Sequence, residues 1–339
     1  MVKDLVGKNR WVLLGLGVGL VYGVAIRIAS RFHWWASGFG VMAVAFLFAT
    51  PFVMGFITVF ISERQRPLRM WMWFVLPWLS VIGGTIGTLI TQLEGYICIV
   101  MFLPIGMVSA TIGGVIAGLL VRFSRHKRSN EVIAACVVFL PLLITPWEQS
   151  VLYAKEIRNA NTFIDIEAPS SVIWRNIERV PAIQARELPA SWSHRIGFPN
   201  PVEATLSREG IGGVRHATFS GGVVFVETID VWQPLQRLGF NIRAQTDQIP
   251  KTTLDEHVRI GGPFFDVLHG EYRLEKLSDN AVRLHLSSQH RVSTDFNWYA
   301  EIWTDAIMAD LQNRILRVIK ARCEREAVAT AQIADNSVP

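Results

Sequence analysis

Charge is scarce in this chain. Only 18% of its 339 residues are Asp, Glu, Lys or Arg, while 50% are hydrophobic; an ordinary soluble domain carries about 25% charged residues. That shortage excludes a disordered solvating protein. Cysteine is scarce as well. Cys98 and Cys136 fall in long apolar stretches and Cys323 stands alone in the second half, so neither an intradomain disulfide nor a Cys-spaced metal site is available there. Also missing are a glycine-rich phosphate loop, a Ser nucleophile elbow and a His-Glu-x-x-His helix. Their absence removes the strongest sequence signatures of nucleotide binding, acyl transfer and metalloprotease chemistry. No cofactor is expected.

What is present divides near residue 150. Residues 1–150 hold 12 Lys/Arg and 5 Asp/Glu, a net +7, whereas residues 151–339 hold 21 and 23, a net −2. The formal charge of +5 is therefore not a basic patch, and nucleic-acid binding is disfavoured because the second half has no basic run. The first half is built of uncharged runs: Trp11–Ile26, Trp34–Ile61, Met70–Leu93, Gly95–Val121 and Val132–Trp147. A helix needs about 20 apolar residues to cross a bilayer. Five spans are expected, over 11–30, 36–61, 70–92, 96–121 and 132–150, in a membrane region of residues 1–153. The first requires Arg27 to snorkel. The last is the weakest because it is short and holds Pro141 and Pro146, so four spans is the competing count. The first run is longer than a signal-peptide core and further spans follow it, so cleavage is not expected.

Basic residues mark cytoplasmic segments. With five spans and the N-terminus inside, ten Lys/Arg fall on inner segments and only Arg27 and Arg31 on outer loops. This predicts an inner-membrane protein with its C-terminal half in the periplasm; a re-entrant fifth segment would put that half in the cytoplasm. Trp34, Trp35, Trp71, Trp73 and Trp147 are placed as an interfacial belt. Gly15/Gly19/Gly23, Gly83/Gly87 and Gly114/Gly118 recur at four-residue spacing, which permits close helix packing. Intramolecular packing is the plainer use; a homodimer through these faces is the other. The apolar runs hold no ionisable residue, which argues against an ion-coupled carrier and for an anchor.

The second half changes pattern. Asn161–Glu167 alternates as a strand. A short helix follows through Val172, Ile173, Trp174 and Ile177, and Pro181 and Pro189 break what comes next. Strands are expected at Val202–Ser207, Gly213–Phe219, Val223–Trp232, Phe240–Thr246, Thr252–Ile260, Phe264–Leu277 and Ala281–Val292. A long helix then starts at Asn297 and runs to about Glu324, with apolar stripes Ile302/Ala306/Ala309/Leu316 and Trp303/Ile307/Leu311/Ile315/Val318. Two stripes fit a helix gripped by a curved sheet or lining a cavity. Residues 327–339 read as a disordered tail.

Strands followed by a long helix make an α+β helix-grip layout. The chain here resembles the SRPBCC/START-like superfamily, near its polyketide cyclase/dehydrase-type members. The residues that carry the resemblance are Ile166-Glu167-Ala168-Pro169-Ser170-Ser171-Val172-Ile173-Trp174, Gly212-Gly213-Val214-Arg215, Glu227-Thr228-Ile229-Asp230-Val231-Trp232-Gln233-Pro234 with Arg237-Leu238, and the C-terminal helix. It covers about residues 158–325. It implies a curved antiparallel sheet wrapped on the long helix and enclosing a pocket for an apolar ligand.

Strand pairing sorts the polar residues, because side chains alternate faces and opposite residues share one. With Phe219 opposite Val223 across Ser220–Gly222, Ala217 faces Phe225 and Arg215 faces Glu227. The Phe219/Phe225 face is apolar and should line the cavity, so Arg215 and Glu227 are expected as a pair at its inner face, either anchoring a ligand head group or neutralising each other. With Leu277 opposite Ala281, Tyr272 faces Leu286 on the inner side and His290 continues that face. Arg273/His285, Glu275/Arg283 and Glu271/Ser287 lie outside. His290 then faces away from His269, Glu271 and His285, so no shared metal is expected. His194, His216 and His257 read as surface or structural.

The expected ligand-binding residues are Arg215, Phe219, Phe225, Glu227, Tyr272, His290 and Trp303. The expected partners are the lipid bilayer and a lipid or other hydrophobic small molecule, bound close to the bilayer surface because only residues 148–161 separate the last span from the first strand. Two alternatives stand beside this: a cyclase/dehydrase-like enzyme using Glu227 and His290 as acid and base, and a membrane scaffold or stress-response protein that binds another protein.

Overall fold

The computed structural model describes residues 2–30, 43–124, 127–148, 155–245 and 260–335. The chain forms two compact units, Met1–Tyr153 and Ala154–Pro339.

The first unit is helical. It comprises α1 (Val2–Ala29), a π-helical turn at Ala45–Ala49 running into α2 (Thr50–Gln65), α3 (Met72–Ile90), α4 (Tyr96–Phe123), α5 (Lys127–Val138) and α6 (Leu140–Glu148). Among the described residues, four stretches are long and apolar enough to cross a membrane: Arg10–Ala29, Ala45–Gln65, Met72–Ile90 and Tyr96–Phe123. Over the expected fifth span the chain forms two short helices broken at Phe139. Pro141 explains the break: it lacks an N–H and its ring clashes with the carbonyl four residues back, that of Val137.

Two further expectations change in this unit. Arg27 does not snorkel; it is buried, with Nε 2.5 Å from Glu94 Oε1 and Nη2 donating to the Leu93 carbonyl at 2.6 Å. Trp73 does not belong to an interfacial belt, because it is buried, donates to Glu63 and lies under the Arg122 guanidinium at 4.6 Å. Glu63 in turn accepts from Arg122 Nη2 at 2.7 Å and from the Leu68 amide at 2.8 Å. Paired charges of this kind avoid the cost of an isolated buried ion. The glycine faces are used inside the chain. A Cβ on Gly15 would sit 2.6 Å from the Thr58 carbonyl oxygen, and one on Gly114 2.7 Å from that of Trp73. Gly15 and Gly114 thus pack against neighbouring helices of the same chain, the plainer use of these faces.

The second unit is a helix-grip fold. One curled seven-stranded antiparallel sheet has the order β1-β7-β6-β5-β4-β3-β2. Its strands are β1 (Glu156–Ile166), β2 (Pro201–Leu206), β3 (Val214–Phe219), β4 (Val224–Gln233), β5 (Arg237–Gln245), β6 (Phe265–Ser278) and β7 (Ala281–Val292). Between β1 and β2 lie α7 (Ser170–Glu178) and the single turn α8 (Trp192–Arg195); the chain closes with α9 (Asn297–Asp335). The strand expected over Thr252–Ile260 lies outside the described residues except for Ile260, which bridges to Phe265. β1 begins five residues before the expected Asn161.

In β7 the residues Val282, Leu284, Leu286, Ser288, His290 and Val292 are all buried, and their alternates are half-exposed. That alternation is what a sheet with one covered face requires. Ile166, Ile173, Ile177, Leu238, Leu284, Leu316 and Ile319 form the core where α7 and α9 meet the sheet. Each such fully buried side chain stabilises by roughly 1.5–3 kcal/mol relative to exposure. On α9 the expected first stripe fails at Ile302, which is 60% exposed. The tail expected from residue 327 instead continues α9 to Asp335. From Asn297 to Asp335 there is no Gly or Pro, and Glu326–Ala334 is rich in strong helix formers.

Candidate functional site

The inner face of the sheet and α9 enclose a cavity of about 110 Å³, open at its mouth. Strand register sets its lining. β3 contributes Arg215, Ala217 and Phe219, and β4 contributes Phe225 and Glu227; the pairs Ala217↔Phe225 and Arg215↔Glu227 are as the sequence predicts. β5 adds Phe240 and Ile242, β6 adds Gly270 and Tyr272, and α9 closes the space with Met308, Leu311, Gln312 and Ile315. Phe219 and Phe225 meet edge to face at 5.2 Å, a favoured aromatic geometry. Gly270 is required for space: a Cβ there would lie 2.6 Å from the Phe240 ring.

Besides Glu203, Thr218, Tyr272 and Ser288, polar side chains stand at two places in this wall. Arg215 Nη1 donates to Glu227 Oε2, and both side chains are buried, at 4% and 7% exposure. The guanidinium lies 5.4 Å over the Phe240 ring. Burial pushes the Glu227 carboxyl above its ordinary range against the opposing pull of Arg215, and burial also raises the neighbouring Tyr272 phenol. The second polar group is Gln312. Its Nε2 donates to the Ala160 carbonyl at 3.1 Å and to Ser288 Oγ at 2.7 Å, and its Oε1 accepts from Thr162 at 2.9 Å. Gln312 thus ties α9 to β1 and β7.

Five expected site residues, Arg215, Phe219, Phe225, Glu227 and Tyr272, line this one cavity. His290 and Trp303 do not. His290 is fully buried on the same sheet face but further along β7, beside Phe265 and 3.5 Å from Asp305. Asp305 is itself gripped by Arg158 through bonds of 2.6 and 3.1 Å. Trp303 packs between Trp192 and Tyr299, one helical turn before the cavity begins at Met308. The acid–base pair Glu227/His290 is therefore not assembled in the cavity. Of the other histidines, His269 lies 3.1 Å from Asp230 and His285 lies 2.7 Å from Glu275.

One cluster escapes sequence reasoning. Asp310 of α9 accepts from the hydroxyls of Ser191 and Ser193 and from the Ser193 amide, while His194 Nδ1 lies 2.6 Å from Ser191 Oγ. Ser191 caps α8, and that local capping pattern was its one legible signal. The cluster pins α8 to α9. Burial, reinforced by the Arg314 charge and opposed by Asp310, pulls His194 down to about 4. A histidine depressed below its unfolded value near 6.5 is neutral in the fold and protonates first in the unfolded chain. Its contribution is complete above pH 6.5 and is lost as pH falls toward 4, up to about 3 kcal/mol. His290, lowered by the same effect of burial, adds a slope of the same sign. His194→Gln should reduce the difference in unfolding midpoint between pH 7.5 and 4.5. An unchanged difference would refute this assignment.

No protein-family model matches the chain, and no curated protein matches it. Among solved structures, the second unit is similar to the Zhui aromatase/cyclase from Streptomyces sp. R1128, at 14% identity over 50% of this chain and 96% of that one, with a TM-score of 0.31. A START superfamily protein from Mycobacterium smegmatis is similar at 7% identity over 50% and 98%, with a TM-score of 0.33. Protein CV1439 from Chromobacterium violaceum is similar at 17% identity over 49% and 96%, with a TM-score of 0.28. At these levels the class, a helix-grip unit joined to a helical unit with apolar helices, rests on the chain's own topology.

Proposed function

We propose that this is an integral membrane protein whose helix-grip unit binds a lipid or other small apolar molecule. The observation that carries the reading is the cavity: mostly apolar walls that hold a buried Arg215–Glu227 pair fit an oily ligand with a polar group. The test uses the full chain in detergent with the fluorescent apolar probe 1-N-phenylnaphthylamine. Ala217 lines the cavity, so Ala217→Trp should fill it and weaken probe binding at least tenfold. A wild-type chain that binds no probe and retains no apolar molecule in native mass spectrometry would sink the reading.

The same proposal includes five crossings, with the N-terminus in the cytoplasm and the helix-grip unit in the periplasm of a bacterial inner membrane. Three contacts inside the helical unit support it. Glu131 pairs with Arg64 near the C-terminal end of α2, Tyr22 donates to the Val138 carbonyl, and α6 packs against Ala45–Ala49 at the opposite end of that helix. The broken helix α5–α6 thus runs antiparallel to the Ala45–Gln65 stretch along its whole length. Lys127–Glu148 at about 1.5 Å per residue reaches about 33 Å, close to the hydrocarbon thickness of about 30 Å. The basic-residue asymmetry supports this direction. Alkaline phosphatase fused after Asp335 should be active and green fluorescent protein dark; the reverse would establish a cytoplasmic unit.

A further inference from the structure

Four aromatic rings form one row at the start of α9. Between ring centroids, Trp192 of α8 lies 6.5 Å from Trp303, Trp303 lies 6.4 Å from Tyr299, and Tyr299 lies 5.7 Å from Trp298. The row ends in exposed side chains, Trp298 at 61% and Trp192 at 40%. Ile302, 60% exposed, stands one turn after Trp298 on the same helix face, and the exposed Ala306 stands one turn further. Exposed apolar side chains scattered singly need no cause, but a contiguous set marks a surface that something covers. The row lies outside the cavity, whose first α9 residue is Met308.

Two observations bear on what covers it. The first is where the chain arrives. β1 starts at Glu156, and only seven residues, 149–155, separate it from Glu148 at the end of α6. Fully extended, that length reaches at most about 29 Å. The start of β1 is fastened to the ring-bearing turns of α9, because Arg158 bonds Glu301, the neighbour of Ile302, and Asp305 at 2.6 Å. The row therefore stands at the tethered end of the helix-grip unit. The second observation is charge. Glu156, Glu301 and Asp305 share the guanidinium of Arg158, so even with the exposed Arg195 of α8 the charge beside the row is net negative. An acidic protein or an anionic lipid finds no attraction there. Trp and Tyr, apolar in body and polar at one edge, suit the headgroup layer of a neutral bilayer.

Resting on the reading of the chain as an integral membrane protein, we infer that the start of α9 and the Trp192 turn dock on the bilayer surface, with Trp192, Trp298 and Ile302 entering the headgroup layer of zwitterionic lipid. The contact is aromatic and apolar, not electrostatic.

The experiment is spin-label accessibility in the full chain, reconstituted in phosphatidylcholine nanodiscs. Cys98 and Cys136 are replaced by alanine, and the buried Cys323 stays. A nitroxide is attached, one site at a time, at Ile302→Cys, Phe163→Cys and Ile112→Cys. Phe163, 57% exposed, lies seven residues along β1 from its start, and Ile112 is 50% exposed on α4. Oxygen concentrates in lipid, and a water-soluble nickel chelate is excluded from it. The oxygen-to-nickel collision ratio at Ile302 should be at least fivefold that at Phe163, and Trp192→Ser/Trp298→Ser should bring it down toward the Phe163 value. Nickel access at Ile302 equal to that at Phe163 would overturn the inference, because the row then faces water. Low access to both reagents would overturn it too, because protein then covers the row. A label at Ile112 with the Phe163 ratio is the distinct result that removes the integral-membrane reading itself.

Discussion

Glu227→Leu should unfold the middle of the sheet at a cost of about 3–5 kcal/mol, because it leaves the Arg215 guanidinium buried with no counter-charge. Arg215 is 4% exposed and is held in the β3–β4 register opposite Glu227. The double variant Arg215→Met/Glu227→Leu should be far milder, near neutral or stabilising, since replacing a buried pair by apolar groups of similar volume removes both desolvation penalties. The two results together separate the cost of breaking the pair from its net worth. Amide hydrogen exchange in the full chain reads this locally. For the single variant, protection of β3 and β4 should fall by roughly 100- to 4000-fold, which is that energy at 1.4 kcal/mol per decade. A single variant as benign as the double would mean that Glu227 is already protonated in the fold, a state its burial favours.

That pair was legible in the sequence for a definite reason. Gly221 and Gly222 both have positive φ, at 75° and 80°, a conformation open to glycine, so Ser220–Gly222 marks the turn and fixes the register of β3 on β4. Every residue placed by counting from that turn is where it was expected, and the same holds for Tyr272 opposite Leu286. The failures lie where counting stops working. His290 was assigned to the cavity by face alone, but what fills the space beside it is Asp305 and Arg158, brought from α9 and β1 across the fold. The bulge between Val267 and His269 also shifts the register next to it. Trp303 shares a helix stripe with Leu311, yet a stripe gives the side of a helix and not how far along it the cavity extends. Asp310 and Arg27 look like solvated charges because their partners, Ser191 and Glu94, are distant in sequence. Long-range polar pairing leaves no periodic trace.

The second large effect concerns helix packing in the apolar unit. A Cβ on Gly55 of α2 would lie 2.0 Å from the Ala110 carbonyl oxygen, and one on Gly113 of α4 would lie 2.0 Å from that of Phe52. These obstacles are backbone atoms, so no rotamer change relieves them. Either alanine must push the two helices apart by at least about 1 Å, in a unit whose interior is close-packed, and overpacking costs roughly 1–3 kcal/mol or more. Gly55→Ala and Gly113→Ala should each lower the thermal midpoint of the full chain in detergent by several degrees. Gly17→Ala is the control, since nothing lies within 4 Å of its added Cβ; it should leave the midpoint unchanged. An equal fall in all three would point to generic loss of helix solvation and not to this interface. Gly55 and Gly113 face the same seam, where Phe52, Phe56 and Ala110 also meet. Separation forced by the first methyl makes room for the second. The double variant should therefore cost clearly less than the two singles added, the non-additivity expected of sites coupled through one backbone shift, whereas a simple sum would show that α2 and α4 yield independently at each glycine.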